Sequence, residues 1–179
     1  MNSSEIKDAP NFLPAGQLFC FGLGFSSQAL AKRLLPQGWD VSGTVRGEQE
    51  DSRTKNISVC SFDGSRPTTE ISEAISHATH PLITIPPQPS GDVVLKNFAE
   101  EISRARHLQW IGYISSTGVY GDTQGEWVDE SSPLLASTDR NRQRIEVESE
   151  WIKIGRDHGL SVMIFRCVGI YGPGRNLLD

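Results

Sequence analysis

The chain has 179 residues, of which 37% are hydrophobic and 22% charged, and its formal net charge at pH 7 is −5. These values are typical of one globular domain that buries a sizeable core. The acidic balance argues against nucleic acid as the main partner, because neutralising phosphates requires a basic surface. No apolar run reaches the roughly 18 residues of a membrane span. Residues 1–15 are polar and are expected to form a disordered lead-in to a domain over 16–179.

Apolar runs alternate with helical stretches along the chain. The pattern predicts strands over 17–22, 39–45, 57–62, 82–86, 109–115 and 160–166. It predicts helices over 25–36, 48–54, 69–77, 91–106 and 138–157. Strands that alternate with helices form parallel sheets with helices on both faces. We therefore predict an α/β fold, a doubly wound parallel sheet of order 3-2-1-4-5-6, with ligands bound at the carboxyl ends of the strands.

A glycine turn joins the first predicted strand to the first helix, and it is the most informative segment. Gly22 suits a tight turn, and Gly24 would let the helix N-terminus approach a pyrophosphate. The third glycine of the usual dinucleotide fingerprint is replaced by Ser27, whose side chain is still small. A tight turn without a ligand is the alternative. The cofactor-binding residues predicted here are Gly22, Leu23, Gly24, Phe25 and Ser26.

The next three strands end in residues that suit the adenosine half of a dinucleotide. The second strand ends in Arg46 rather than an acid, which favours a 2′-phosphate and therefore NADP over NAD, unless the arginine is only solvated. Asp63 follows the third strand and could accept from the adenine amino group or cap the following turn. Pro86 and Pro87 make the connection after the fourth strand stiff, and we expect them to lie over the cofactor.

Hydroxyl groups cluster where the fifth predicted strand leaves the sheet. Ser115, Ser116 and Thr117 could bond a cofactor or a substrate oxygen during hydride transfer, or could bond local backbone as turn residues. The loop after the sixth strand contains Gly169 and is expected to flank the nicotinamide end. The isolated cysteines Cys20, Cys60 and Cys167 lack metal-ligand spacing and predict free thiols in a reducing compartment, so we expect a cytoplasmic protein without a bound metal.

Three motifs together resemble the extended short-chain dehydrogenase/reductase superfamily, the NAD(P)-dependent epimerase/dehydratase-like proteins. They are Gly22-x-Gly24, the run 115–121 (Ser-Ser-Thr-Gly-Val-Tyr-Gly) and the run 166–174 (Arg-x-x-Gly-Ile-Tyr-Gly-Pro-Gly). The chain looks most like an atypical subgroup of that superfamily. The resemblance implies an NAD(P)-binding protein related to oxidoreductases or epimerases of sugar-like or small carbonyl substrates. It also implies that Ser116, with Thr117 as the alternative, polarises the substrate oxygen.

The sequence departs from this family at its acid–base pair, a Tyr followed four residues later by a Lys. Counting back from Glu148, a position that resembles a common family glutamate, places Arg140 at the Tyr position and Arg144 at the Lys position. Arginine cannot serve as a general acid at neutral pH, although Arg144 could replace the Lys as a ribose contact or bind an anionic substrate. The alternative is a charged surface stripe along the helix. A catalytically inactive dinucleotide-binding domain, acting as a sensor or interaction module, is therefore the competing hypothesis.

The sequence also stops just after the sixth predicted strand, where family members usually continue into a small C-terminal substrate domain. We expect that domain to be missing and apolar surface at this edge to favour a homodimer. The acidic loop 121–136 lines the substrate cleft in the family. With Trp127 it could bind a sugar, or it could be a solvated loop with one anchoring aromatic side chain.

Overall fold

The computed structural model describes residues 15–47 and 57–175 of the chain. It contains six strands within these residues: β1 (Gln17–Phe21), β2 (Asp40–Val45), β3 (Ser58–Ser61), β4 (His80–Ile83), β5 (Ile111–Ser116) and β6 (Val162–Cys167). The helices are α1 (Phe25–Leu34), α2 (Thr69–His77), α3 (Val93–Arg104) and α4 (Asp139–His158), with short 3-10 turns over Leu35–Gln37 and Thr117–Tyr120. The helix predicted over 48–54 and nearly all of the predicted lead-in lie outside the described residues.

The six strands form one sheet of order β3-β2-β1-β4-β5-β6, and every pairing is parallel. This confirms the predicted doubly wound sheet. From β1 the chain first adds β2 and β3 on one side of the sheet, and then adds β4, β5 and β6 on the other side. A crevice opens where this order switches, at the carboxyl ends of β1 and β4. The glycine turn after β1 borders this crevice.

Alternation along β1 divides the core between the two faces of the sheet, because successive side chains of a strand point in opposite directions. Phe19 and Phe21 pack on the face that α2, α3 and α4 cover, together with the fully buried Trp151. Leu18 and Cys20 pack on the other face, beneath α1. Both faces of β1 are therefore dry, as a central parallel strand requires.

Most predicted boundaries differ from the structure by one or two residues, and the fourth strand differs most. It was predicted over 82–86 but spans His80–Ile83. The strand stops because the Thr84 hydroxyl donates to the carbonyl of Gly22 (2.8 Å) and two prolines follow. At the end of α1, Pro36 lies in the 3-10 turn and Gly38 takes a left-handed conformation (φ 82°).

The edge strand β6 leaves apolar side chains in contact with water. Met163 and Phe165 are 48% and 36% exposed, and Val168 and Tyr171 beyond the strand are 70% and 78% exposed. Exposed apolar surface at this edge matches the expectation from the sequence. None of the helices in the described residues is long and apolar enough to cross a membrane.

Candidate functional site

The glycine turn is fixed by backbone conformation and by bonds to β2. Gly22 has φ 100°, and a Cβ there would lie 2.6 Å from the Thr84 hydroxyl oxygen, so only glycine fits. The Gly22 amide donates to the hydroxyl of Thr44 (2.9 Å), and the Leu23 amide donates to the Thr44 carbonyl (2.8 Å). The turn is therefore held rigidly at the carboxyl edge of β1 and β2.

Ser27, at the third position of the fingerprint, makes a contact that a glycine could not. Its fully buried hydroxyl donates to the Gly22 carbonyl at 2.7 Å. The same carbonyl accepts from the Thr84 hydroxyl, so both of its lone pairs are used. The replacement that weakens the sequence motif therefore stabilises the turn. Sequence reasoning identified only the small size of Ser27 and missed this bond.

Gly24 differs from Gly22, because nothing in the part of the chain that the structure describes requires a glycine there. Its φ of −81° is open to any residue, it is exposed, and a Cβ would meet no atom of residues 15–47 and 57–175 within 4 Å. Gly24 is the N-cap of α1, and the first intrahelical bond runs from the Gln28 amide to its carbonyl (3.0 Å). The preceding amides of the helix have no intrahelical acceptor, which makes this end a potential anion site.

A cavity of about 360 Å³ opens beside this turn at the carboxyl edge of the sheet. It brings together predicted site residues from β1, β2, β3 and β4. Those that line it are Gly22, Leu23, Gly24, Arg46, Asp63 and Pro86, alongside Thr44, Val45, Phe62, Gly64, Thr84, Ile85, Gln88 and Val93. Phe25 and Ser26 begin α1 directly after the turn, and Pro87 is partly buried outside the lining.

Asp63 and Arg46 are both exposed at the mouth of this cavity. Asp63 Oδ1 accepts from the backbone amide (2.8 Å) and the hydroxyl (2.6 Å) of Ser65, and these bonds lower the pKa of the Asp63 carboxyl. The turn-capping interpretation of Asp63 is therefore correct, while its position in the cavity wall keeps the adenine contact open as a prediction.

The hydroxyls after β5 divide between the interior and the local turn. The buried Ser115 hydroxyl donates to Glu148 Oε1 of α4 at 2.5 Å. The Ser116 hydroxyl accepts from the Gly118 amide (3.1 Å) and begins the 3-10 turn over Thr117–Tyr120. Turn chemistry thus accounts for one bond of Ser116, and Thr117 follows at the carboxyl end of β5.

A buried ionic network, which was not predicted from the sequence, lies at the carboxyl ends of β5 and β6. Arg166 of β6 donates to Glu148 from Nε (3.1 Å) and Nη2 (2.8 Å), and from Nη1 to the Tyr120 hydroxyl (2.9 Å). Its guanidinium also lies 5.1 Å from the centre of the Tyr120 ring. Hydrogen bonds to Glu148 raise the pKa of Arg166. The network joins α4, β6 and the 3-10 turn, and the only sequence signal was the Arg at the start of the third family motif.

The two arginines at the family's acid–base positions occupy different environments. Arg140 is exposed at the start of α4, whereas Arg144 and Glu148 are buried, with 9% and 1% exposure. The surface-stripe interpretation is therefore wrong for Arg144 and Glu148. Arg144 Nη1 donates to the Ile114 carbonyl of β5 at 3.3 Å. A residue bound to the sheet in this way can still present its remaining donors at the carboxyl edge.

None of the three tyrosines of the chain occupies the family's acid position on α4. The Tyr113 hydroxyl is buried without a hydrogen-bond partner among the described residues, and burial raises the pKa of this phenol, partly offset by the Arg144 guanidinium. Tyr120 is bonded to Arg166, and Tyr171 lies exposed beyond β6. The predicted anchoring role of Trp127 is wrong, because its side chain is 99% exposed.

The fold and the glycine turn define the class of this protein. The chain has a Rossmann-type fold like that of NAD-dependent epimerase/dehydratase-like proteins, and this confirms the resemblance predicted from the motifs. No protein-family model matches the chain. Among curated proteins it is similar to YeeZ of Escherichia coli K12, at 32% identity over 172 aligned positions that cover 87% of this chain and 59% of YeeZ.

Solved structures are also similar to this chain. A conserved protein of unknown function from Silicibacter pomeroyi DSS is 36% identical, with a TM-score of 0.78 over 90% of this chain and 56% of that one. A candidate NAD-dependent epimerase/dehydratase from Methylobacillus flagellatus is 28% identical, with a TM-score of 0.73 over 90% and 57% of the two chains. The chain therefore spans a little over half the length of the relatives it matches.

Proposed function

We propose that this chain binds a nicotinamide dinucleotide in the crevice at the carboxyl edge of the sheet. The observation that carries the proposal is Gly24, a glycine that the fold itself does not need, at the free N-terminus of α1 and in the wall of the cavity. Gly24 leaves space where a pyrophosphate would approach the helix amides. The NAD-dependence of the Methylobacillus flagellatus relative, as its name gives it, supports the same class of cofactor.

The adenosine half would lie in the 360 Å³ cavity, between Arg46 and Asp63 at its mouth. Arg46 supports a preference for NADP, because a guanidinium can hold a 2′-phosphate with two charge-assisted bonds where an acid would repel it. Pro86 would cover the cofactor from the β4 side. The nicotinamide half would then reach the carboxyl end of β5, near Ser116, Thr117 and Gly169, with Arg144 as a ribose contact.

The chemistry of the site favours binding without acid–base catalysis in this chain. A bound nicotinamide dinucleotide supplies hydride transfer, but a carbonyl substrate also needs a proton donor. Arg140 and Arg144 stay protonated at neutral pH, so neither can fill the role of the family's tyrosine. We infer that the chain acts as a dinucleotide-binding domain, in the manner of a sensor or interaction module.

A second candidate function belongs to a longer protein. The relatives extend well beyond the part that this chain matches, and β6 leaves an apolar edge exposed. A substrate-binding portion against that edge would make an oxidoreductase or epimerase of sugar-like or small carbonyl substrates. Ser116 would polarise the substrate oxygen there, with Thr117 as the alternative.

A fluorescence titration with NADPH and NADH tests the binding proposal. We expect saturable binding, tighter for NADPH. Gly24→Val should abolish it, because the added methyl groups occupy the pyrophosphate position, while Ala29→Val on the exposed side of the same helix should leave it unchanged. Both variants should keep the wild-type melting temperature within a few degrees. Wild-type affinity in Gly24→Val would show that the glycine turn is only structural.

The cofactor preference is tested separately with Arg46→Asp. We expect the ratio of the two dissociation constants to shift from NADPH towards NADH, because the acid repels the 2′-phosphate and accepts from a 2′-hydroxyl. An unchanged ratio would reduce Arg46 to a solvated surface residue. Turnover of NADPH with any member of a carbonyl panel would contradict the non-catalytic proposal.

A further inference from the structure

The segment after β6 ends in a tight turn whose residues fix its shape. The Arg175 amide donates to the Gly172 carbonyl (2.9 Å), and the Gly172 amide donates to the Arg175 carbonyl (2.7 Å). Pro173 holds the second position, and Gly174 takes the third with φ 74°. Proline followed by a glycine of positive φ is the signature of a type II β-turn. The local sequence therefore determines the direction in which Arg175 leaves the turn.

This turn lies against the first residue of α1, although β6 stands three strands from β1 in the sheet. A Cβ on Gly172 would come within 3.0 Å of the Phe25 ring, so the two segments are in contact. The Arg175 guanidinium carbon lies 5.4 Å from the centre of the same ring. The segment 168–175 thus crosses the carboxyl edge of the sheet, and its arginine reaches the residue that follows Gly24.

The location of this charge is informative because α1 presents its positive end at Phe25. The first turn of α1 contains no acidic side chain that could neutralise either charge. Arg175 is exposed and its guanidinium lies beside the ring of the residue that follows Gly24, so an anion held at this end of α1 would have a second positive group within reach. The Phe25 ring contact holds the arginine beside the first residue of the helix.

From these contacts we propose that Arg175 is a phosphate-binding residue that holds the dinucleotide pyrophosphate from the side opposite the glycine turn. The proposal rests on the proposed function, since it needs a dinucleotide in the crevice. The helix amides would bind the pyrophosphate from below, and the guanidinium would bind it from the turn after β6. The segment 168–175 would then cover the nicotinamide half of the cofactor.

The test compares NADPH affinity in the wild type, Arg175→Gln and Arg33→Gln at about 20 and 200 mM salt. Arg33 is an exposed arginine in the last turn of the same helix and serves as the matched control. We expect Arg175→Gln to weaken binding about tenfold at low salt, with a smaller difference at high salt, because loss of the cation removes a screened interaction. Arg33→Gln should behave as the wild type.

Two outcomes separate the failure of this inference from the failure of the proposed function. Wild-type affinity in Arg175→Gln, at both salt concentrations, would overturn the role of Arg175 and leave the dinucleotide site intact. Absence of NADPH and NADH binding to the folded wild type would overturn both. Arg175→Met, which retains an apolar stem over Phe25, should lose affinity as Arg175→Gln does; retained affinity there would mean that contact with the ring, and not charge, is what matters.

Discussion

Removing Arg166 should destabilise this protein more than removing its partner Glu148. The side chain of Arg166 is 17% exposed and that of Glu148 only 2%. Arg166→Met leaves the carboxylate of Glu148 out of reach of water and without its cation. Glu148→Gln leaves a guanidinium that can turn towards solvent and keep its bond to Tyr120. Breaking a fully buried pair costs roughly 3–5 kcal/mol.

The partial exposure of Arg166 lowers that figure, so we expect Arg166→Met to cost about 2–4 kcal/mol. For a domain of this size the loss corresponds to a fall in melting temperature of about 4–16 °C. Glu148→Gln should cost about 1–2 kcal/mol, since the amide oxygen can still accept from Ser115. The double variant removes both charges of this pair and should be more stable than Arg166→Met alone.

Urea unfolding at pH 7, followed by tryptophan fluorescence, measures these differences, because Trp151 is fully buried on the same helix as Glu148. The double variant provides the internal control. A loss below about 1 kcal/mol in Arg166→Met would refute the reasoning, as would a double variant that is less stable than Arg166→Met.

Three further predictions concern residues away from this network. Ser27→Ala should cost about 1 kcal/mol in urea unfolding, because it removes the bond to the Gly22 carbonyl; no change would mean that the bond adds nothing. Asp92→Ala should cost about 2–3 kcal/mol, since Asp92 caps α3 and accepts from the indole N–H of Trp151; a loss under 1 kcal/mol would contradict this account. Burial raises the pKa of Cys20 to about 12 from 9.0, so the folded state retains a proton that the unfolded state loses. Stability should therefore fall as pH rises above about 9, and Cys20→Ala should flatten that dependence; equal slopes would be the contrary result.

The sequence by itself was sufficient for the sheet order and for the glycine turn. Both depend on local information: the spacing of apolar runs, and the chemistry of a few adjacent residues such as Gly22 and Gly24. The caps of α4, Thr138 at its start and the left-handed Gly159 at its end, are local features of the same kind, because capping uses neighbouring residues. Strand ends were less accurate, since a contact between Thr84 and the glycine turn ended β4 at Ile83.

Only the tertiary structure decided which polar residues are buried and which are free. Ser115 and Glu148 stand 33 positions apart in the chain and share one hydrogen bond, and no local pattern encodes such a pairing. For the same reason Arg144 could be read as a surface residue, although packing of α4 on β5 buries it. The approach of Arg175 to Phe25 joins opposite ends of the described chain. Contacts of this kind follow from how the elements pack, because packing brings together side chains that periodicity alone cannot relate.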